Sequence, residues 1–232
     1  MRLDRYITHH TGRSQKEVLR LLSAGVVRVR GEVEKGNRSE VDRFTEVSVE
    51  GEVLPFEEAL YFMLNKPAGY LSATSDPEHP TVMELIDHPQ RDELHLAGRL
   101  DRASTGLLLL TNNGRWSKHV TEPGSGVGKT YLVETAEDIS EETARQFAEG
   151  IYFAYEDLTT QPANLEVLST REARLTIREG RYHQVKRMFH AVGNRVTALH
   201  RESIGGLVLE AGLAVGEARR LTEDEVALFL SV

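Results

Sequence analysis

The stretch GRLDRASTGLLLLT, Gly98 to Thr111, sets one carboxylate, Asp101, between two arginines and a Ser-Thr-Gly turn, directly ahead of an unbroken apolar run. Leu107 to Leu110, followed by Thr111 and the Asn112-Asn113-Gly114 turn, reads as a buried strand, because a short apolar run bounded by turn residues needs cover on both faces. Asp101 therefore stands where a loop enters the core. Turn chemistry alone can account for such an acid as a partner of backbone donors. A functional reading has to draw on the rest of the chain.

Upstream, YFMLNKPAGYL is a strand running into a Lys-Pro turn with Gly69. Downstream, KTYLVET reads as a strand, ISEETARQFAEG as a helix from Ser140 to a stop at Gly150, and LEVLST and EARLTIREG as a strand pair. YHQVKRMFHAVG is an amphipathic helix closed by Gly193, with Val185, Met188 and Phe189 as its apolar positions. Val196 to Leu199 and Leu207 to Leu209 are later strands, and Thr222 with Glu225 caps a final short helix. Strands outnumber helices without alternating regularly with them, which predicts an α+β domain with a largely antiparallel sheet.

Toward the N-terminus the texture changes. A first helix lies around Leu3 to His9, and Ser14-Gln15-Lys16-Glu17 forms a capping box for a second that Gly25 ends. The strand VVRVR alternates Arg28 and Arg30 with valines, placing both guanidinium groups on one face, and Gly31-Glu32 turns the chain into a second strand near Val33. This small module closes by about Leu54, and Leu54 to Glu58 reads as a linker. Met1 to Arg43 carry a local charge of +4 and the remaining residues −12, although the 232-residue chain as a whole stands at −8. A basic module ahead of an acidic body points to phosphate binding by the module.

Composition narrows the chemistry further. With 40% hydrophobic and 28% charged residues the chain reads as an ordinary globular protein. No apolar segment approaches the roughly 20 residues that cross a bilayer, and MRLDRYITHH lacks the apolar core of a signal peptide, so the expected location is the cytoplasm. Without cysteine there are no disulfides or thiolate-based metal sites. The nine histidines are scattered, and His183 and His190, though able to share a helix face, read as solvated or core residues. GSGVGKT, Gly124 to Thr130, imitates a phosphate loop, but the position five residues before Gly128 is Pro123 and a strand follows instead of a helix. Asp101 has no second acid nearby in sequence, so a paired-carboxylate glycosidase pattern is absent. A single ionised carboxylate can still serve as a nucleophile at an anomeric carbon, provided a cation opposes the cost of burying it. GRYHQVKRMF offers candidates: Tyr182, Val185, Lys186 and Phe189 are spaced for one helix face, with Arg181 and Arg187 directed elsewhere.

These segments, in this order, resemble the pseudouridine synthases of the ribosomal small-subunit type. GRLDRASTGLLLLTNNG is similar to the family's central motif, with Asp101 at the position of its invariant aspartate. YFMLNKPAGY resembles the first motif, KTYLV the strand bearing the active-site tyrosine, and EGRYHQVKRMF the final motif with its aliphatic and basic pair, here Val185 and Lys186. RLDRYI, the Arg13-Ser14 capping box and GVVRVRGEVE are similar to an S4-type RNA-binding domain. The resemblance implies an S4-type domain with linker over residues 1–56, two helices plus a short hairpin, and a catalytic domain over 57–232, its antiparallel sheet flanked by helices.

It also implies isomerisation of a uridine of 16S rRNA, uridine 516, with neither cofactor nor metal. The N1–C1′ bond breaks, the uracil turns, and the ring is rejoined through C5. By the same resemblance Asp101 attacks covalently at C1′ or C6, Tyr131 stacks on the uracil and assists proton removal, and Lys186 keeps Asp101 ionised. Val185 walls the base, and Arg99 engages phosphate or fills the gap left by the extruded nucleotide. Lys66, Arg181 and Arg187 are further substrate contacts, and Arg2, Arg5, Arg13, Lys16, Arg28 and Arg30 are RNA contacts of the first domain. The implied partner is 16S rRNA or a small-subunit assembly intermediate, met by a monomer. The glycine loop before Lys129 departs from expectation in having no bases of its own. A 23S target, a non-catalytic ribosome-assembly factor and a nucleotide hydrolase are the competing readings.

Overall fold

The computed structural model describes residues 1–230, which divide into two compact units, Met1–Ala59 and the chain from Leu60 onward. The first unit opens with helix α1, Leu3–Thr11, stopped by Gly12 in the left-handed conformation. Helix α2, Gln15–Ala24, begins at the capping box that Ser14 and Glu17 form and ends at Gly25, also left-handed. Strands β1 (Val27–Val29), β2 (Glu32–Val33), β3 (Val47–Val49) and β4 (Glu52–Val53) make one sheet in the order β2-β1-β3-β4.

This sheet holds twice the strands that the sequence pattern predicts. Each hairpin turns on two residues of positive φ, Arg30-Gly31 in one and Glu50-Gly51 in the other, the geometry that suits the twist of paired strands. Arg30 thus belongs to the turn, and the expectation that it shares a strand face with Arg28 is corrected. Leu3, Ile7, Val18, Leu22, Val27 and Val47 form the unit's own core.

In the second unit, β5 (Tyr61–Lys66), β6 (His95–Leu96) and β7 (Thr105–Thr111) precede helix α3 (Gly114–Thr121). Then come β8 (Lys129–Thr135), α4 (Glu141–Glu149), β9 (Tyr152–Phe153), β10 (Leu158–Thr159), β11 (Asn164–Ser169) and β12 (Glu172–Ile177). Helix α5 (Gln184–Ala191), β13 (Val196–Ile204), β14 (Leu207–Val208), β15 (Ala218–Arg220) and α6 (Glu223–Ala227) complete it. A nine-stranded sheet runs β11-β12-β8-β13-β7-β5-β15, with β14 and β6 attached at β13 and β7. Among the described residues every pairing in it is antiparallel except β13 with β7. Leu107 to Leu110 are fully buried at the centre, covered on one face by Leu60, Val82 and Ile86 and on the other by Trp116, Val120 and Phe229.

The parallel contact depends on one residue. Gly106 pairs with Arg201 at φ +100°, and a Cβ there would lie 2.4 Å from the Arg201 carbonyl oxygen. Only glycine permits that approach, which brings Arg201 under the loop that carries Asp101. Helix α3, absent from the sequence reading, starts where the Asn113 side chain accepts from the amides of Arg115 and Trp116.

Candidate active site

The loop from Arg99 to Ser104 is held by its backbone. The Ser72 hydroxyl donates to the Leu100 carbonyl at 2.7 Å and accepts from the Leu100 amide at 3.1 Å. From below, the fully buried Lys66 ammonium donates to the carbonyls of Pro67, Arg102 and Ser104 at 2.9, 3.3 and 2.9 Å. Burial pulls the Lys66 pKa down to about 8, with the charge of Asp101 opposing the drop. Gly69 and Arg102 exchange two hydrogen bonds, and the Ser104 amide closes the turn on the Asp101 carbonyl. Lys66 is thus part of the scaffold and does not line the pocket, which corrects the expectation of a substrate contact.

Helix α5 brings the counter-charge. Lys186 Nζ donates to Asp101 Oδ2 at 2.7 Å. His183 Nε2 lies 3.3 Å from the other carboxylate oxygen, a neighbour that the sequence pattern did not reveal. His183 precedes the helix with φ +49°, a conformation unusual for a side-chain-bearing residue and frequent where a site demands a particular aim. Tyr182 stacks on its ring at 3.9 Å and is 77% exposed, so it stands outside the helix face where the spacing had put it. His190 is exposed on α5.

Alternation along β8 places Lys129, Tyr131 and Val133 on its inward face, all three buried. Tyr131 faces Arg201 across the β8–β13 pair, and the register shifts between Arg201 and Ser203, a bulge of the kind that re-aims side chains beside sites. Arg201, buried, donates to the Leu107 carbonyl at 2.7 Å, to the Arg99 carbonyl at 3.4 Å and to the Tyr131 hydroxyl at 3.5 Å. The strand read as Val196 to Leu199 continues to Ile204, and that extension contains Arg201.

Together these groups line a cavity of about 660 Å³, within the range of small-molecule sites. Asp101, Lys186, Tyr131, Val185, Arg99 and Arg181 all reach it. Arg99 and Arg181 are exposed, and Arg181 also donates to the buried carboxylate of Glu179 at 2.9 Å. Arg187 does not line it: its guanidinium lies over the Phe153 ring at 3.8 Å and donates to Glu156 at 2.7 Å, the pattern of a packing residue. Among the described residues, no group of three or more His, Asp or Glu side chains could hold a metal ion. The glycine loop contributes Lys129 to the cavity and leads into a strand, with no helix N-terminus to hold a phosphate.

Residues 60–191 match the family model of the RNA pseudouridylate synthases. The chain belongs to the RNA pseudouridylate synthase family. It is an enzyme that isomerises uridine in RNA. Over 98% of its length it is 47% identical to the ribosomal small subunit pseudouridine synthase A of Yersinia pestis, covering 97% of that protein. The protein of the same name from Escherichia coli K12 is also 47% identical, over 98% of this chain and 99% of that one. A crystal structure of a pseudouridylate synthase, 41% identical, superposes with a TM-score of 0.72 over 99% of both chains. Within this pseudouridylate synthase the first unit carries exposed Arg5, Lys16, Arg28 and Arg30, whereas Arg2 is paired with the buried Asp4 at 2.5 Å and Arg13 with Glu50 at 2.7 Å.

Proposed function

We propose that this enzyme converts a uridine of small-subunit rRNA, uridine 516 of 16S rRNA, to pseudouridine, with Asp101 as the nucleophile acting on a nucleotide turned out of its stack. The observation that carries the reading is the Asp101–Lys186 pair at 2.7 Å inside the cavity. The relatives named for the small ribosomal subunit support a target in that subunit's RNA. Asp101 and Lys186 have side chains 26% and 33% exposed, near enough to water to meet a nucleotide and shielded enough for their charges to act strongly.

The carboxylate attacks at C1′ or at C6, and Lys186 aims it through their 2.7 Å contact. Tyr131 offers its ring to the uracil from the strand side, and Val185, on the helix, closes the opposite wall. A base in its stack hides both C1′ and C5, so the nucleotide must leave it, at a cost of a few kcal/mol. Arg99 and Arg181 at the exposed edge meet the backbone of the displaced nucleotide. The first unit acts as an S4-type RNA-binding domain, its exposed Arg5, Lys16, Arg28 and Arg30 offsetting that cost by neutralising phosphates.

RNA tritiated at uracil C5 tests the reading, because joining the ring through C5 releases that label to water. Release is expected from isolated 16S rRNA, little from 23S rRNA, and none with Asp101→Asn. Preferential release from 23S rRNA would move the target, and full release by Asp101→Asn would remove the nucleophile.

A further inference from the structure

The proposed mechanism leaves two buried cations without a task. Lys129 is 8% exposed and Arg201 3% exposed, and both line the same cavity as Asp101. Among the described residues the Lys129 ammonium donates to one acceptor, the Val127 carbonyl at 2.9 Å. Among the described residues, Arg201 Nη2 is a buried donor with no hydrogen-bond partner, although buried polar atoms nearly always have one. Burial, and then the neighbouring Arg201 charge, lower the Lys129 pKa, the mark of two cations close together. Asp101 is engaged by Lys186 and His183. Two buried like charges beside an unused donor are costly to fold, and the cost is offset if a negatively charged atom arrives during the reaction.

We propose that Lys129 and Arg201 form a cationic floor that receives a carbonyl oxygen of the uracil ring while the ring carries negative charge. The proposal rests on the reading of the cavity as the uridine-isomerising site. If Asp101 attacks C1′, the N1–C1′ electron pair stays with the ring and the charge spreads over N1 and the two carbonyl oxygens. If Asp101 adds to C6, the C5–C6 π pair moves toward the C4 carbonyl and gives an enolate, and the N1–C1′ bond then breaks with its electron pair left on N1. In both cases the charge is transient. When C5 is joined to C1′, Asp101 is released, the C5 proton leaves, N1 gains one, and the atoms balance as an isomerisation. A fixed cation aimed at charge that exists only along the reaction path accelerates the reaction more than it tightens substrate binding.

The only other anion a displaced nucleotide carries is its phosphate. That group stays joined to the RNA chain at the mouth, where the exposed Arg99 and Arg181 stand. Lys129 and Arg201, each less than a tenth exposed, line the cavity with Tyr131, on the side assigned to the base. Arg201 also holds Tyr131 and the Asp101 loop, so Lys129, whose ammonium donates to a single carbonyl among the described residues, gives the cleaner test.

Lys129→Gln and Arg201→Gln are compared with the unaltered protein in single turnover on an rRNA fragment carrying uridine or 5-fluorouridine at the target, with consumption of that nucleoside measured after nuclease digestion. Fluorine stabilises negative charge on the ring. With uridine, Lys129→Gln is expected to slow the reaction about a hundredfold, the size of losing one charge-stabilising donor, with RNA affinity within twofold of the unaltered protein. With 5-fluorouridine the loss shrinks severalfold. An equal loss with both nucleosides, a loss confined to RNA affinity as a phosphate contact would give, or no loss at all would each overturn the floor. Should Arg201→Gln fail to fold, Lys129→Gln decides the matter. An unaltered protein that consumes neither nucleoside would instead refute the uridine-isomerase reading.

Discussion

In the first unit Arg5, Lys16, Arg28 and Arg30 stand in water, whereas in the second Lys66, Lys129 and Arg201 are each less than a tenth exposed. Exposed cations act by number: each neutralises one phosphate, tolerates shifts of position, and weakens as salt screens it over a distance of about 10 Å. Buried cations act by place. They have lost their hydration and are tolerated only where carbonyls, or the chemistry itself, supply the missing partner. The net charge of −8 hides both populations, and an acidic protein can still be built around RNA and around an anionic step.

The comparison predicts how each population fails. Lys186 is intermediate, one third exposed and in direct contact with Asp101, and it stands to show the largest effect. Lys186→Met should lower label release by at least about a hundredfold in single turnover, and Lys186→Arg should recover part of it by keeping the charge without the geometry. Equal rates in all three proteins would place the charge elsewhere.

Lys66 comes next. Lys66→Met should loosen the Asp101 loop and reduce release roughly tenfold, a loss typical of misplacing reacting groups while RNA binding persists. Its folded pKa of about 8 lies below the ordinary lysine value of 10.5, so between these values the unfolded chain binds the extra proton. The stability of the unaltered protein relative to Lys66→Met should therefore rise with pH across that window, by at most about 1.4 kcal/mol per pH unit. Urea titrations at pH 7.5, 8.5 and 9.5 measure it, and a flat difference would show that the ammonium is better solvated than its three carbonyls imply.

The exposed set is expected to give the smallest change per residue. Joint replacement of Arg5, Lys16 and Arg28 by glutamine should weaken RNA binding about tenfold at moderate salt and flatten the salt dependence by about one unit per lost phosphate contact, while kcat stays within twofold. Unchanged salt dependence would remove these residues from the RNA surface.

The sequence made local features legible. The leucine strand, the Ser14 and Thr222 capping boxes and the loop bearing Asp101 each announce themselves within a few residues, because caps and turns are short-range physics. Shorter or less regular elements escaped: β3 and β4 are brief, α3 spans only eight residues, and VTALHRESI alternates poorly. The Asp101–Lys186 pairing came from the family resemblance, since residues 85 positions apart leave no local trace. Arg201 could not be read at all. A buried arginine is tolerated only in view of tertiary partners, here the Leu107 and Arg99 carbonyls and the space Gly106 leaves, none of which is near it in sequence.

The grip on the Asp101 loop is made largely through peptide groups: the Leu100, Arg102 and Ser104 carbonyls anchor it, and the Arg99 carbonyl meets Arg201. Such a mount does not register the side chain that Arg99 carries. The position beside the nucleophile is therefore an interchangeable fitting on a fixed socket, and a library of residues at position 99 could retune which RNA is accepted while the carboxylate keeps its aim.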